Sequence, residues 1–573
     1  MKTTTAPHIR DIEPALTMPR AAQDESSRTA TGVAGWVGVA TMTGLQACGG
    51  GAGAASPAPA TPASAADAGR FLAQATLGYS RSDLNAMMAT SYSDWIDAQF
   101  AAPSSQGHYA WLLANGYGVA TNINSTVGTD NTIWRKLIAS GDPLRQRMVL
   151  ALSELCVVSV LGVNAAWRQF CIANYLDILE ANAFGNYRTL MGQITLSSAM
   201  GYYLTYRGSV KANPNTGSEP DENYARELMQ LFTIGLVMLN ADGSAQTSAA
   251  GQPVETYVQA DVSGLARVFT GWNLNVSGLT SPYPPDYHQR PMISTASQYE
   301  TGSKSFLGTT IAAGTGAVDS LNQALDTLFS HPNLPTFVSK QLIQRLVTSN
   351  PSPDYVARVS AVFTNNGSGV RGDLKAVIKA ILLDSLARDA SALSNPTAGK
   401  LREPVVRFLN WARAYGATSP SGAWNVGDLS DPATRLGQSP MRSSSVFNFF
   451  SPGYVPPNTA LSAQGLNAPE FQITDESSVA GYVNFMQTRA VAGNGLGDLT
   501  PDYSSLQPLA SDPQALLTEI NEVVAASQLS AATLSTLATA LATIAVTTPA
   551  GILNRIHAAI VLVMASPEYL VQK

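Results

Sequence analysis

From Arg70 onward, large apolar residues return at intervals of three and four, and each run stops at a Pro, Gly or Asn. That pattern restricts the chain to amphipathic helices of a few turns joined by short polar connections. Leu144, Met148, Leu152 and Leu155 form one stripe behind Asp142-Pro143. Leu176, Leu179 and Ala183 with Tyr187 and Leu190 form a helix pair bent at Gly185, and Val258, Val262, Leu265 and Phe269 a third stripe ending near Gly271. Residues 335–386 divide into three helices at Asn350-Pro351 and at 365–369, and such short connections make them antiparallel neighbours. Helical patterns near 514–526, 530–544 and 551–565 close the chain. The predicted fold is all-α or mainly α, a multi-helical, bundle-like assembly. Residues 240–256 and 274–312, rich in Gly, Ser, Thr, Pro and Tyr, fit long irregular loops or a small β-hairpin, and residues 416–480 are also irregular. Such long loops tend to carry function. No repeat of a solenoid's length recurs.

The first 68 residues have a different character. Thr31 to Leu45 is uncharged and rich in Ala, Gly and Val, about the length of a signal-peptide apolar region and too short for a spanning helix. It ends in Leu45-Gln46-Ala47-Cys48, which resembles the lipobox of bacterial lipoproteins, with Cys48 as the lipid attachment residue. Residues 49–68 then read as a Gly/Ala/Pro tether with little apolar surface to bury. The expected organisation is an export signal over 1–48, a disordered tether over 49–68 and one large helical domain over 69–573, any subdivision falling near 390–420. The expected location is the periplasm or outer membrane, with membrane contact only through the lipid. Cys156 and Cys171 are then left as either a disulfide or two buried thiols.

Charged residues make up 13% of the chain and the net charge is −6, so the basic footprint that nucleic-acid binding requires is missing. The five histidines form no His-x-x-x-His pair and the cysteines no Cys-x-x-Cys pair, so no metal site of familiar spacing is expected. Phosphate-binding Gly-rich motifs and the Gly-x-Ser-x-Gly elbow are also missing, and no cofactor is expected.

Residues 218–235 hold the densest set of polar side chains with a definite pattern. Ser218 is placed to cap a helix with Asp221 at its third position, Pro220 suits the first turn, and Gly235 suits the C-terminal end. Tyr224, Ala225, Leu228, Met229, Leu231 and Phe232 fall on one side of that helix. Glu222, Asn223, Arg226, Glu227 and Gln230 share an arc of roughly 140° on the other, where Glu222 and Arg226, four apart, should pair.

This stretch resembles the signature of the bacterial family called Domain of Unknown Function 1800, with Glu222, Asn223, Arg226 and Glu227 matching and Asp221 and Gln230 departing from it. The resemblance runs from Arg70-Phe71-Leu72-Ala73-Gln74 to Pro567-Glu568-Tyr569-Leu570. It passes through Asn182-Ala183-Phe184-Gly185, Asp261 to Trp272, Lys304-Ser305-Phe306-Leu307-Gly308, Leu401-Arg402-Glu403-Pro404-Val405 and Ser445 to Tyr454. It implies an exported, predominantly helical protein, often encoded beside a secreted sulfatase-like protein that would be its partner. In that family a His commonly follows the Thr-Gly-Trp segment, a place that His288 fits as a candidate, with Pro285-Asp286-Tyr287-His288-Gln289 departing from the usual His-Asp spacing.

Carboxylate chemistry is what these residues offer. Glu222, Glu227, Asp261 and His288 are the candidate catalytic groups, one acid held protonated and another ionised as glycan cleavage requires. Asn223, Arg226, Arg267, Trp272 and Lys304 are the candidate binding residues. Arg226 or Arg267 pinning the acids in salt bridges is the alternative. Trp272, Trp411, Trp424, Tyr454 and the Phe447, Phe449 and Phe450 cluster offer flat faces for sugar stacking or ordinary core packing. The expected role is action on, or binding of, an extracellular polymer such as a glycan, with a non-catalytic scaffold as the alternative.

Overall fold

Many of the helices begin where a short polar side chain takes an unpaired backbone amide. Ser64, Ser80, Ser91, Ser352, Asp512, Ser530 and Thr548 all cap helices in this way, and Pro occupies the first turn behind Asp142, Ser352, Asp512 and Thr548. The computed structural model describes residues 60–491 and 498–573. The predicted export segment, Cys48 and most of the predicted tether lie outside the described residues. The tether boundary at 68 needs correction, because Ser64 accepts the Asp67 amide and the first helix already runs Ala65–Ala75, with Ala68 fully buried. None of the described helices is long and apolar enough to cross a membrane.

The structure is mainly α-helical, with a few short antiparallel strand pairs. The predicted stripes become helices Pro143–Leu155, Arg168–Asn182, Tyr187–Thr195 and Gln259–Ala266. The predicted trio becomes Leu334–Leu346, Pro353–Thr364 and Leu374–Leu382, and the C-terminal set Pro513–Val523, Ala531–Ala542 and Pro549–Met564. The loop after Gln259–Ala266 carries two ribbons, Trp272–Asn273 with Ile293–Ser294 and Lys304–Phe306 with Thr309–Ile311. A third pair joins Lys400–Leu401 to Val571–Gln572, tying the C-terminus to the middle of the chain.

The described residues pack as one unit around a continuous apolar core. A smaller aromatic cluster of Tyr109, Trp111, Trp167, Phe170 and Tyr287 lies beside it. Buried arginines satisfy backbone carbonyls that helix ends leave open: Arg413 alone donates to Gly78, Leu137, Ile138 and Ser140. Cys156 and Cys171 are both buried free thiols. Close backbone approach demands glycine at Gly264, where a Cβ would lie 1.8 Å from the Ser305 carbonyl oxygen, so the ribbon can pack directly on the helix.

Candidate functional site

The signature stretch folds differently from its sequence pattern. Its α-helix is only Asn223–Glu227, and the ladder then widens into a π-helix over Leu228–Thr233. Ser218 does not cap it: Ser218 pairs with Asn213 in an isolated bridge, and Asp221 takes the Asn223 amide at 2.9 Å instead. Gly235 does end the segment, at φ 70°, where a Cβ would sit 2.7 Å from the Phe337 ring. The π-turn moves Leu231 out of the predicted apolar face and into a groove beside Gln230. Tyr224 remains fully buried, stacked on Tyr206 at 4.3 Å and bonded through its hydroxyl to Thr195 Oγ1 at 2.6 Å.

The two signature glutamates have opposite surroundings. Glu222 and Arg226 form the expected pair at 3.2 Å, and the same carboxylate accepts from Ser263 Oγ at 2.5 Å and Gln259 Nε2 at 2.8 Å on the following helix. Arg226 also donates to Gln259, and Asn223 reaches Thr205 Oγ1 at 3.5 Å. Glu227 is only 8% exposed, and its Oε2 is buried without a partner. Burial pushes its carboxyl up to about 7, with Arg226 opposing that rise. Its charge acts on Tyr203 and Tyr257, which stand beside it.

Other predicted residues do not join this site. Asp261 commits its two oxygens to the Val258 and Leu307 amides, capping its helix and holding the ribbon turn. His288 is fully buried, with Nδ1 2.8 Å from Ser198 Oγ and Nε2 2.8 Å from the Ala166 carbonyl oxygen. The carbonyl partner requires the proton on Nε2, so Ser198 donates to Nδ1, and burial lowers the imidazole to about 4. Trp272 is buried and donates to the Val268 carbonyl. Arg267 donates to the Ser303 carbonyl near Glu300, and Lys304 is buried over the Tyr299 ring with its ammonium on the Gly302 carbonyl. These five residues organise the ribbons and the loop before them, because each is closest to backbone groups that turns leave unpaired.

Sequence reasoning missed a second carboxylate cluster. Glu154, Glu403 and Glu470 are all nearly inaccessible and surround Lys400, whose Nζ lies 3.0 Å from Glu470 and 3.5 Å from Glu403. Glu403 also accepts from Gln438 Nε2 at 2.8 Å, while neither oxygen of Glu154 has a donor. Burial and the facing Glu403 push Glu154 well up; Glu403, which burial alone would raise, is held down by Lys400 and by a hydrogen bond from Glu154. Two facing carboxylates favour sharing one proton across the pair, which raises Glu154 while Lys400 holds Glu403 down. The sequence signal was an acid inside the apolar run from Val149 to Val158, which obliges a buried partner.

Several stretches that carry the family resemblance meet here. Gln438 bridges Glu403 and the Val405 amide, and Met441 accepts the Val160 amide. A small cavity between them is lined by Glu154, Ser439, Ser443 and Phe449. Beside it, a groove of about 330 Å³ runs along Gln230, Leu231, Phe337, Gln341, Gln344 and Phe447. Of the predicted stacking residues, Phe447 is exposed and lines this groove, whereas Trp272 and Trp411 are core.

His108, Asp177 and Glu180 bring ligand atoms within 4.8 Å of one another, a grouping that no local spacing announces. Asp177 is occupied as the cap of the His108 and Tyr109 amides, and Glu180 is paired with buried Lys136 at 2.6 Å. The ammonium already supplies the charge a cation would bring.

No curated protein and no solved structure matches the chain. Residues 70–571 match the family described as Protein of unknown function (DUF1800), so nearly the whole described part is family domain. The chain belongs to the DUF1800 family.

Proposed function

We propose that the protein is an exported, carboxylate-dependent hydrolase of an extracellular polymer, a glycan in the first instance, with Glu227 as its proton donor. One observation carries this reading: Glu227 is a nearly buried acid with a partnerless oxygen, held up to about 7, on the segment where Glu222 is fully bonded. A general acid needs a proton to give near neutral pH, and a salt-bridged carboxylate has none. Glu227 protonates the leaving oxygen as the glycosidic C–O bond breaks; water supplies hydroxide to the sugar carbon, and its proton passes to Glu222, which Arg226 and Ser263 hold in place. The groove that begins at Gln230, three residues along the same segment from Glu227, suits a sugar, since Phe337 and Phe447 supply flat faces and Gln230 and Gln341 supply amides.

The exposed side chains of Leu236 and Phe447 at this groove favour a second reading, a non-catalytic scaffold docked to a secreted sulfatase-like partner. Wild type and Glu227→Gln incubated with a glycan panel separate the two. Turnover that vanishes in a normally melting variant supports the hydrolase. Absence of turnover on every polymer, with the groove protected by a co-purifying secreted protein, assigns the scaffold.

A further inference from the structure

A larger cleft lies elsewhere, where helices Arg168–Asn182, Tyr187–Thr195 and Ala317–Ser330 meet the segment Pro285–Gln289. Its volume of about 520 Å³ is in the range of small-ligand sites, and it shares no lining residue with the groove along Gln230 and Phe447.

Its charge is one-sided. Arg188 and Arg290 line it and no carboxylate does, on a chain whose net charge is −6. Each guanidinium is paired from outside the cleft, Arg188 Nε with Asp326 at 2.7 Å and Arg290 Nη2 with Asp286 at 2.9 Å. Those aspartates are 64% and 45% exposed, so both pairs are weakly held and a ligand anion can compete for the guanidinium groups, of which Arg188 also bonds Asn322 through Nη2 and Arg290 the Ser277 carbonyl through Nη1. The pairing nevertheless orients the forks, and Arg188 Nη1 is left over Gly192 with no acceptor among the described residues. Gln193 Oε1 is occupied by Asn182 Nδ2 at 2.7 Å, and the Gln193 amide protons have no acceptor among the described residues. Leu196, Leu321 and Leu325 supply an apolar wall.

Gly192 is the second, independent observation. It sits inside a helix, where glycine costs roughly 0.5–1 kcal/mol relative to alanine. Packing does not require it, because a Cβ would lie 3.4 Å from Arg188 Nη1 and 3.9 Å from Leu325 Cδ1, ordinary contact distances. A longer side chain at this position would project between the guanidinium and the leucine wall. The glycine keeps the cleft open.

We propose that this cleft binds an acidic sugar unit of a glycan, its anionic group on the free Arg188 Nη1, its hydroxyls on the Gln193 amide and on the side-chain oxygen of Asn174, whose amide nitrogen is held by the His288 carbonyl, and its C–H face on the leucines. The site stands on residues other than Glu227 and holds whether or not the groove is catalytic. A carboxylate and a sulfate would present the same chemistry to Arg188, and the probes distinguish them.

The test is calorimetric titration of the full chain with an oligogalacturonate, a sulfated oligogalactose of equal length and the neutral oligogalactose. At least one acidic probe binds, the neutral one binds much more weakly, and added salt weakens the complex. Arg188→Gln and Gly192→Leu each lose roughly tenfold or more in affinity. Gly192→Leu keeps or raises the melting temperature, since leucine is the better helix former. Glu227→Gln leaves this affinity unchanged, which separates failure here from failure of the hydrolase reading. Equal binding of neutral and acidic probes, no binding of any probe, or acidic binding that survives both Arg188→Gln and Gly192→Leu overturns the proposal. Should Gly192→Leu misfold, Arg290→Gln takes its place with the same expected loss.

Discussion

Glu227 and Glu154 are shielded from water to nearly the same degree, at 8% and 5% exposure, yet folding treats them differently. Glu154 lies against Glu403, with Lys400, Arg147 and Arg345 close by, and shares a proton within a closed network. Glu227 faces two tyrosines and has no cation closer to it than its own neighbour Arg226, which is bound to Glu222 and Gln259. Burial alone therefore does not mark a functional acid. What distinguishes Glu227 is burial without compensation, a cost that folding has no structural reason to keep.

The largest effect should come from breaking the compensated region. Lys400→Met should cost about 3–5 kcal/mol in urea unfolding, because it leaves buried Glu403 and Glu470 without a salt-bridge partner among the described residues. A loss near zero would mean that the network is solvated.

Glu227→Gln should act in the other direction. The carboxyl titrates at about 7 in the folded chain against 4.5 when unperturbed, so both states are protonated below that lower value. As pH rises from 4.5 to about 7 the unfolded chain ionises first, and stability falls until the folded acid ionises too. The variant should therefore match wild type at pH 4 and exceed it at pH 8 by on the order of 1–3 kcal/mol. A flat difference across this range would remove the proton assigned to Glu227.

Smaller shifts locate the remaining protons and charges. Glu154→Gln keeps a donor toward Glu403 and should change stability by less than about 1 kcal/mol, whereas Glu403→Gln, which replaces the ionised member, should approach the Lys400→Met loss. Equal losses would place the shared proton elsewhere. Arg226→Ala should cost least, about 0.3–0.5 kcal/mol in thermal melts, since its pair with Glu222 is 39% and 32% exposed.

Local chemistry was legible in the chain where partners are close in sequence. The Glu222–Arg226 pair follows from a four-residue spacing, and Gly235 from the need for a left-handed residue at a helix end. The cap was assigned four residues early: the bridge to Asn213 holds Ser218 away, the helix starts after Glu222, and Asp221, expected inside the helix, takes the Asn223 amide from outside it. His288 has the residue type of a catalytic base, and nothing near it in sequence shows that Ser198 and the Ala166 carbonyl occupy both ring nitrogens.

The sequence by itself determined that this chain would be helical, where most helices would begin and end, and which family it belongs to, because periodicity, caps and signature residues are all local properties. The tertiary structure decided which acid is compensated. Glu154 meets Glu403 and Lys400 only after distant helices pack, and Glu227 lacks a partner only because the packed surroundings supply none. The reason is physical: a carboxylate's proton affinity depends on the water it loses and the charges it gains, and both are set by neighbours in space.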